Sequence, residues 1–314
     1  MSVAPDSVTI VSSSPILAPA RNSTVAIMFA ALSLVWGASF LFMKVAIDAF
    51  DPAQVALGRI ILGSVTLVAI MTLTKRRWPR ERRLWLHMIV VAVFFCLLPF
   101  LLFAWAAESL PSGLSAILNA TTPLWTTLVA VVFLPSERMT ARRLVGVIIG
   151  AVGVAVVMGV WDVVSSPEFA ASLPAQLACL GATASYGIAL GWMRRFITGT
   201  HAHDSVTIAS TQMAVAGVLA LALLPAIGLA PVAWAPAPVL ALVALGCLGT
   251  GIVYVWNTRV VSEWGAVGAS TVTYVIPVVG VALGVLVLGE RFTLNELIGA
   301  VIVIGGVLLV QRSR

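Results

Sequence analysis

Two basic side chains, Lys44 and Arg59, lie inside apolar segments of the sequence. A charge surrounded by hydrocarbon is costly, so such residues are candidates for binding an oppositely charged group. No Asp or Glu lies in the middle of a long apolar segment. The buried formal charges are therefore positive, which suits a carboxylate or another anionic group on a ligand. Either charge can instead be satisfied without a ligand, if the side chain extends to a membrane surface or pairs with Asp48 or Asp51.

Aromatic residues share a helix face with one of these charges. Trp36, Phe40 and Lys44 are spaced i, i+4 and i+8, which places them on one side of a helix. The same spacing recurs 150 residues later, from Tyr186 to Arg194, where the arginine is better interpreted as an anchor at the membrane surface. An aromatic wall beside a cation predicts an amphipathic ligand that stacks on rings and carries a negative group.

Further aromatic and amide side chains are candidates for the same site. Trp105 and Tyr254 lie near helix ends, where Trp and Tyr are also enriched at membrane interfaces. Tyr274 lies deeper in its apolar segment, and Asn257 could bind a ligand or the interface.

Two prolines interrupt apolar segments at corresponding places. Pro123 and Pro277 each remove a backbone donor and clash with the carbonyl four residues earlier, at Asn119 and Thr273. A freed carbonyl beside a polar side chain predicts a hydrogen-bonding point facing a cavity, although a plain packing kink satisfied by a neighbouring hydroxyl is the alternative. The complete set of predicted substrate-binding residues is Trp36, Phe40, Lys44, Arg59, Trp105, Asn119, Tyr186, Tyr254, Asn257, Thr273 and Tyr274.

Long apolar segments must position these residues. Hydrophobic residues make up 61% of the chain and charged residues 10%, against roughly 25% charged in a soluble domain. A membrane-spanning helix needs about 20 mostly apolar residues. We therefore predict an all-α membrane protein with ten spanning helices, at 25–46, 53–73, 85–107, 112–134, 144–161, 174–193, 206–226, 238–258, 266–288 and 297–311, after a disordered cytoplasmic tail at 1–24.

The basic residues predict the orientation of these helices. With ten helices, fifteen of the eighteen Lys and Arg residues fall before, between or after the helices on one side, and only Arg291 falls in a loop on the other side. Short cytoplasmic loops carry an excess of Lys and Arg. Both termini are therefore predicted to be cytoplasmic. The basic residues lie in short loops rather than on one basic face, which argues against nucleic acid as a partner.

The two halves of the chain repeat each other. Pro123 corresponds to Pro277 at an offset of 154, and Glu137 corresponds to Glu290 at an offset of 153. Repeat 1 is predicted at 25–161 and repeat 2 at 174–311. Because each repeat has five helices, an odd number, the second must enter the membrane inverted relative to the first, and a substrate site is expected at the midplane between them.

Two more features of the repeat are interpreted as structural. Thr293 and Glu296 have capping-box spacing before helix 10, so Glu137 and Glu290 are interpreted as residues that tie a short loop to a helix start. GxxxG spacing occurs in both repeats and predicts close helix packing, within one chain or across a dimer. These glycines are Gly146, Gly150, Gly280 and Gly284.

These features resemble the drug/metabolite transporter superfamily, and specifically its EamA-type members with ten helices in two repeats. The resemblance covers about residues 25–311 and is carried by WGASFLFMK at 36–44, by DPAQVALGR ending at Arg59, and by both copies of the Pro, Gly-Glu and Gly pattern. Copy one departs from that pattern, with Ser136 before Glu137. The resemblance implies a carrier of the bacterial inner membrane, commonly an exporter of amino acids or other metabolites.

The predicted function is secondary transport of small amphipathic metabolites, amino acids above all, by alternating access around a midplane cavity. An exporter of lipophilic drugs or phosphorylated metabolites on the same fold is the alternative, and a membrane sensor or scaffold is an alternative of another class. An intramembrane enzyme is not expected, since paired membrane aspartates, HExxH and a Ser–His pair within the bilayer are all missing from the sequence. No metal or cofactor is expected. The predicted partners are a small-molecule substrate and the lipid bilayer, with the chain a monomer or homodimer.

Overall fold

The fold consists of long apolar helices. The computed structural model describes residues 23–134, 137–163, 167–198, 203–227 and 230–312. Within these residues ten helices are long and apolar enough to cross a membrane. Helices satisfy their own backbone hydrogen bonds, which hydrocarbon cannot do. They are α1 (Ser23–Ala46), α2 (Pro52–Leu73), α3 (Arg82–Ala106), α4 (Ser112–Phe133), α5 (Ala141–Met158), α6 (Phe169–Phe196), α7 (Ser205–Ile227), α8 (Pro236–Gly265), α9 (Gly268–Leu288) and α10 (Leu294–Gln311).

The sequence located most helix ends to within three residues, although α6 starts at Phe169 rather than 174 and α8 ends at Gly265 rather than 258. The prediction of an all-α membrane protein with ten spanning helices is confirmed for the described residues. The predicted capping box is present: the Thr293 hydroxyl accepts a hydrogen bond from the Glu296 amide, and the Glu296 carboxylate accepts one from the Thr293 amide. This cap starts α10 at Leu294, three residues before the predicted start. Residues 1–22 of the predicted tail lie outside the described residues.

Helices from the two halves of the chain pack against each other in matching pairs. α1 packs on α9 and α8, while α6, its counterpart in the second half, packs on α4 and α3. α2 packs on its own counterpart α7, and α5 packs on its own counterpart α10. α5 and α10 pack mainly on each other, and both also contact α4.

Glycines allow α5 and α10 to touch backbone to backbone. A Cβ at Gly306 would lie 2.5 Å from the Gly150 nitrogen and 2.7 Å from the Gly146 carbonyl oxygen, and one at Gly153 would lie 2.6 Å from the Val303 nitrogen. Such distances exclude any side chain without movement of the backbone. The close packing predicted from the GxxxG spacing of Gly146 and Gly150 is therefore present, and it occurs within one chain.

Several of the helices around the middle are interrupted. α3 contains a π-helical segment at Val93–Leu97, and α8 contains one at Ala244–Ile252 that starts 151 residues later. α4 breaks between Asn119 and Thr122. Such interruptions often occur at functional sites, because they expose carbonyls and change the direction of side chains.

A further interruption lies at the start of α9. The helix breaks at Thr271. Just before it, Gly265 joins α8 to α9 with φ 74° and ψ 169°, a conformation that glycine adopts readily and L side chains do not. Both α4 and α9 are therefore broken before their prolines, although the break in α9 lies about one helical turn farther from its proline.

Candidate functional site

A cavity of about 230 Å³ lies in the middle of the bundle between both halves of the chain. Seven helices contribute to its wall: α1, α2, α3, α4, α6, α8 and α9. Seven of the predicted substrate-binding residues line it together, although they come from six different helices and span 237 positions of the sequence. They are Trp36, Phe40, Arg59, Asn119, Tyr186, Tyr254 and Thr273.

Arg59 is the cationic side chain of this cavity. The residue is only 9% exposed, and its Nε donates a hydrogen bond of 2.9 Å to the Thr250 hydroxyl. That hydroxyl donates in turn to the Leu245 carbonyl, so its orientation is fixed. The guanidinium carbon lies 3.8 Å above the centroid of the Phe100 ring, which is a cation–π contact. These two supports hold the plane of the guanidinium in place.

The terminal groups of Arg59 have no hydrogen-bond or ion-pair partner among the described residues. Among the described residues no carboxylate forms an ion pair with Arg59, and no acceptor receives a hydrogen bond from its Nη groups. Asp51 is occupied elsewhere, because its carboxylate accepts the Ala53 amide at the start of α2. A buried guanidinium with free N–H groups is prepared for a planar anion such as a carboxylate, which it can bind through two parallel hydrogen bonds.

Aromatic rings form most of the remaining wall. Phe40 meets Phe103 edge to face, with ring centroids 5.5 Å apart, and Trp36 meets Tyr254 in the same way at 6.3 Å. The Trp36 indole N–H donates to the Gly249 carbonyl at 3.2 Å, in the π-helical segment of α8. This bond satisfies the indole and fixes the ring, so that the cavity offers apolar faces of defined position.

The π-helical segments decide which rings reach the cavity. Phe95, Phe100 and Phe103 line it from α3, and the step from Phe95 to Phe100 is five residues rather than four. Gly249 and Tyr254 show the same five-residue step in α8. A regular α-helical spacing does not predict these five-residue steps. Phe95, Phe100 and Phe103 were missing from the predicted set, and so was Thr250, which binds Arg59.

The polar side of the cavity lies at the two helix breaks. Asn119 and Thr273 both line the cavity, and Thr122 lies beside them. The Asn119 carbonyl accepts a hydrogen bond of 2.8 Å from the Thr122 hydroxyl, so this backbone oxygen is already satisfied. The Asn119 side-chain amide is the polar group left at this point of the wall.

The two prolines occupy different positions relative to the breaks. Pro123 is the second residue of the helical segment that follows the break in α4, where its missing N–H is not needed. Pro277 lies inside the second segment of α9, six residues after Thr271. Pro123 lies against an adjoining cavity, and Pro277 is buried.

Four other predicted residues do not reach the central cavity. The Lys44 ammonium donates to the Ala107 and Leu110 carbonyls, just beyond the end of α3. Trp105 is 46% exposed on the outer surface of α3. The Tyr274 hydroxyl donates to the Gln311 side chain. Asn257 lines a neighbouring cavity instead.

The cavity continues toward one end of the bundle, which we call the Arg194 end. A cavity of about 220 Å³ shares Thr122, Leu190 and Thr273 with it and extends to Arg194. Another of about 380 Å³ shares Phe95, Leu190 and Tyr254 with it and extends to Asn257 and His203. On the side toward the Arg194 end, the side chains that line the central cavity therefore also line the two adjoining cavities.

The opposite end, which we call the Lys44 end, is closed by direct contacts. The Glu290 carboxylate accepts hydrogen bonds from the Ser112 amide at 2.6 Å and the Gly113 amide at 3.2 Å, at the first turn of α4. Lys44 binds carbonyls between α3 and α4, and Leu110 there is only 1% exposed. A carboxylate at a helix N-terminus is favourable, because it satisfies free N–H groups and complements the helix dipole.

Glu137, the counterpart of Glu290, has different partners at the Arg194 end. Its carboxylate lies 2.7 Å from the Arg143 guanidinium and 2.5 Å from that of Arg194. The hydrogen bond from Arg143, reinforced by Arg194, holds the pKa of the Glu137 carboxyl below its usual range. Both glutamates therefore join short loops to helix ends, as the sequence suggested.

The described residues contain no cluster of side chains suited to a metal ion. Among the residues that the structure describes, no three His, Cys, Asp or Glu side chains lie close enough together to hold an ion.

Comparison with known proteins agrees with this architecture. The sequence pattern of the EamA-like transporter family matches residues 23–159 and 173–312. The chain is 26% identical to the uncharacterized transporter YdfC of Bacillus subtilis (strain 168), over 91% of each chain. It is 28% identical to a "probable terminal-alkyne amino-acid exporter" of Streptantibioticus cattleyicolor, over 89% of this chain and 90% of the relative. A solved crystal structure of another protein superposes with a TM-score of 0.62 at 19% identity, covering 93% of this chain and 99% of the other.

The family match covers most of the chain, and the ten apolar helices agree with it. The chain is thus a multi-pass protein of the bacterial inner membrane with the function of a transporter. It belongs to the EamA-like transporter family.

Proposed function

We propose that this transporter exports or exchanges small amphipathic metabolites that carry a carboxylate, amino acids with aromatic or other apolar side chains above all. The observation that carries the proposal is the buried Arg59 guanidinium, whose Nη groups have no acceptor among the described residues. A buried charge without a partner destabilises the resting protein. A carboxylate from the substrate would remove that cost and form charge-assisted hydrogen bonds.

The rest of the cavity suits the remainder of an apolar amino acid. Phe40, Phe103, Trp36 and Tyr254 would contact its side chain. Its ammonium group would lie against ring faces and the Asn119 amide oxygen, since none of the described residues that line the cavity carries a carboxylate. The relative from Streptantibioticus cattleyicolor is named as a probable exporter of an amino acid, which supports this class of substrate.

Charge argues against the alternatives on the same fold. A phosphate ester carries a charge of about −1.5 to −2, and one arginine does not balance it. A lipophilic cation would be repelled by Arg59.

We further propose that the two halves are inverted repeats and that both termini face the cytoplasm. The matching packing pairs support the repeat, as do the π-helical segments that begin 151 residues apart. The cytoplasmic side would then be the Arg194 end, toward which the cavity continues, and the conformation described would be open to the cytoplasm. The seven-helix cavity lies within one chain, so the transport unit is a monomer or a homodimer with one cavity per chain.

The two glutamates suggest how access alternates. In an inverted repeat, each half adopts the conformation of the other when the transporter changes state. Glu290 now binds the first turn of α4 and closes the Lys44 end. After the exchange Glu137 would leave Arg143 and Arg194 and bind the first turn of α9, beyond Gly265, which closes the Arg194 end.

Flux of labelled amino acids into proteoliposomes tests the proposed function. We expect uptake of phenylalanine, leucine or a similar amino acid in exchange for the same compound inside, and no uptake of the corresponding amide. A transporter that moves the amide as fast as the acid does not recognise the carboxylate, and that result would refute the proposal. Reporter fusions at the C-terminus test the topology separately, because a reporter outside the cell contradicts the ten-helix inverted arrangement.

A further inference from the structure

The loop between α2 and α3 combines strong positive charge with few partners. Residues 75–83 read KRRWPRERR and contain six basic residues and one acidic residue. Arg76 pairs with Asp204, and Glu81 pairs with His203 at 3.0 Å. The other five basic side chains are exposed and have no ion pair among the described residues. They are Lys75, Arg77, Arg80, Arg82 and Arg83.

An apolar groove begins directly beneath this loop. It has a volume of about 500 Å³ and lies between α2, α3 and α7. Its floor consists of aliphatic side chains, and two tryptophans stand at its loop end. The lining residues are Val68, Trp78, Trp85, Ile89, Ala214, Val215, Val218 and Leu219.

The two tryptophans connect the loop to the groove. Trp78 belongs to the loop itself, and its ring lies 6.1 Å from that of Trp85 on α3. The Trp85 indole N–H donates to the Pro79 carbonyl at 3.0 Å, which fastens the loop to the helix. Arg82 precedes Trp85 by three residues, so both lie on one face of α3, with Ile89 a further turn along. The positive charge is therefore held at the mouth of the groove.

We propose that this groove and the basic loop form a binding site for an anionic phospholipid. One acyl chain would lie in the groove along Ile89 and Val218, and the phosphate would contact Arg80 and Arg82. The argument for this occupant is charge complementarity next to an apolar groove on a membrane-facing surface. Basic residues beside a membrane helix attract anionic headgroups, and tryptophans stabilise the level at which headgroup and chain meet. The site is separate from the central cavity and does not depend on the transported substrate.

Tryptophan quenching by brominated lipid tests the site directly. The full-length protein in uncharged detergent micelles would be titrated with phosphatidylglycerol or phosphatidylcholine carrying the same brominated chains. We expect saturable quenching, with a midpoint concentration at least tenfold lower for phosphatidylglycerol than for phosphatidylcholine. The Trp78→Phe, Trp85→Phe double variant should show a smaller amplitude of quenching. Equal midpoints for the two lipids would overturn the proposal.

Charge variants separate this site from general electrostatic attraction. At the strength typical of basic residues near an anionic surface, Arg80→Gln with Arg82→Gln should raise the phosphatidylglycerol midpoint about thirtyfold. The control, Arg138→Gln with Arg142→Gln, removes the same charge from exposed positions of another loop and should leave the midpoint unchanged. An equal effect of both pairs would contradict a defined site.

Two further measurements test the groove itself. Ala214→Phe fills the groove without changing the charge, and we expect it to weaken binding of phosphatidylglycerol at least tenfold. Glycerol phosphate, the headgroup without chains, should displace the lipid only at far higher concentration. Unchanged binding by Ala214→Phe, or equally effective displacement by glycerol phosphate, would show that a free phosphate site rather than a lipid groove is present.

Discussion

Replacing Arg59 by Met distinguishes a substrate-binding arginine from a structural one. The substitution keeps an unbranched side chain of similar length and removes the charge. If Arg59 is structural, the substitution should make the protein less stable. If Arg59 binds the substrate, the variant should be about as stable as the wild type but unable to bind a carboxylate.

The contacts of Arg59 give the expected change in stability. The substitution removes the hydrogen bond from Nε to Thr250, about 1.5–3 kcal/mol for a charged donor, and the contact with Phe100, about 2 kcal/mol when desolvated. It also removes the cost of burying an ion, which is several kcal/mol. Thr250 keeps its own hydrogen bond to Leu245. These contributions nearly cancel, so we expect the free energy of unfolding to change by less than about 2 kcal/mol.

The expected loss of transport is much larger. Truncating one partner of a buried, hydrogen-bonded charge pair costs about 2–5 kcal/mol of binding, which corresponds to a weakening of roughly 30-fold to several thousandfold. Arg59→Lys is the control, since it keeps the charge but loses the planar fork, and it should retain part of the affinity.

The assay combines thermal unfolding in detergent with flux of an amino acid and of its amide in proteoliposomes. Arg59→Met should leave the melting temperature within a few degrees of the wild type and abolish selectivity for the acid over the amide. A fall of ten degrees or more together with equal loss of both fluxes would show that Arg59 is structural. Unchanged flux of the acid would show that the carboxylate binds elsewhere.

Three further predictions concern the frame, the closed end and the aromatic wall. Gly306→Ala should destabilise the protein by about 1–3 kcal/mol through overpacking of α10 on α5, whereas Gly305→Ala, where an added Cβ meets nothing within 4 Å, should not destabilise it; thermal unfolding compares the two. Glu290→Gln weakens three charge-assisted hydrogen bonds at the Lys44 end, from the Ser112 amide and hydroxyl and the Gly113 amide. A cysteine introduced in the cavity should therefore be labelled at least tenfold faster by an impermeant reagent from outside, and an unchanged rate would show that Glu290 does not close this end. Trp36→Ala should reduce flux of an aromatic amino acid at least tenfold, and Trp105→Ala, on the outer surface, should leave it within twofold; equal losses would contradict the cavity wall described above.

The sequence by itself determined the ten helices and the family. The length of an apolar segment predicts a spanning helix directly, because in hydrocarbon the backbone can form hydrogen bonds only with itself. The capping box at Thr293 and the close packing at Gly146 and Gly150 of α5 were also predicted, because a capping box acts within one turn and a glycine lacks a side chain. Arg59 was a candidate because its charge is costly in an apolar segment wherever the segment packs.

The tertiary structure alone decided which side chains meet in the cavity. An α-helical face repeats every three or four residues, and each π-helical turn adds a residue and rotates the helix beyond it by about 100°. The π-helical segment of α3 therefore directs Phe100 and Phe103 inward, while Trp105 lies on the outside. Lys44 does not line the cavity for another reason: its ammonium group binds the Ala107 and Leu110 carbonyls after α3. Contacts between helices far apart in sequence depend on rotation and crossing angle, which local spacing does not encode.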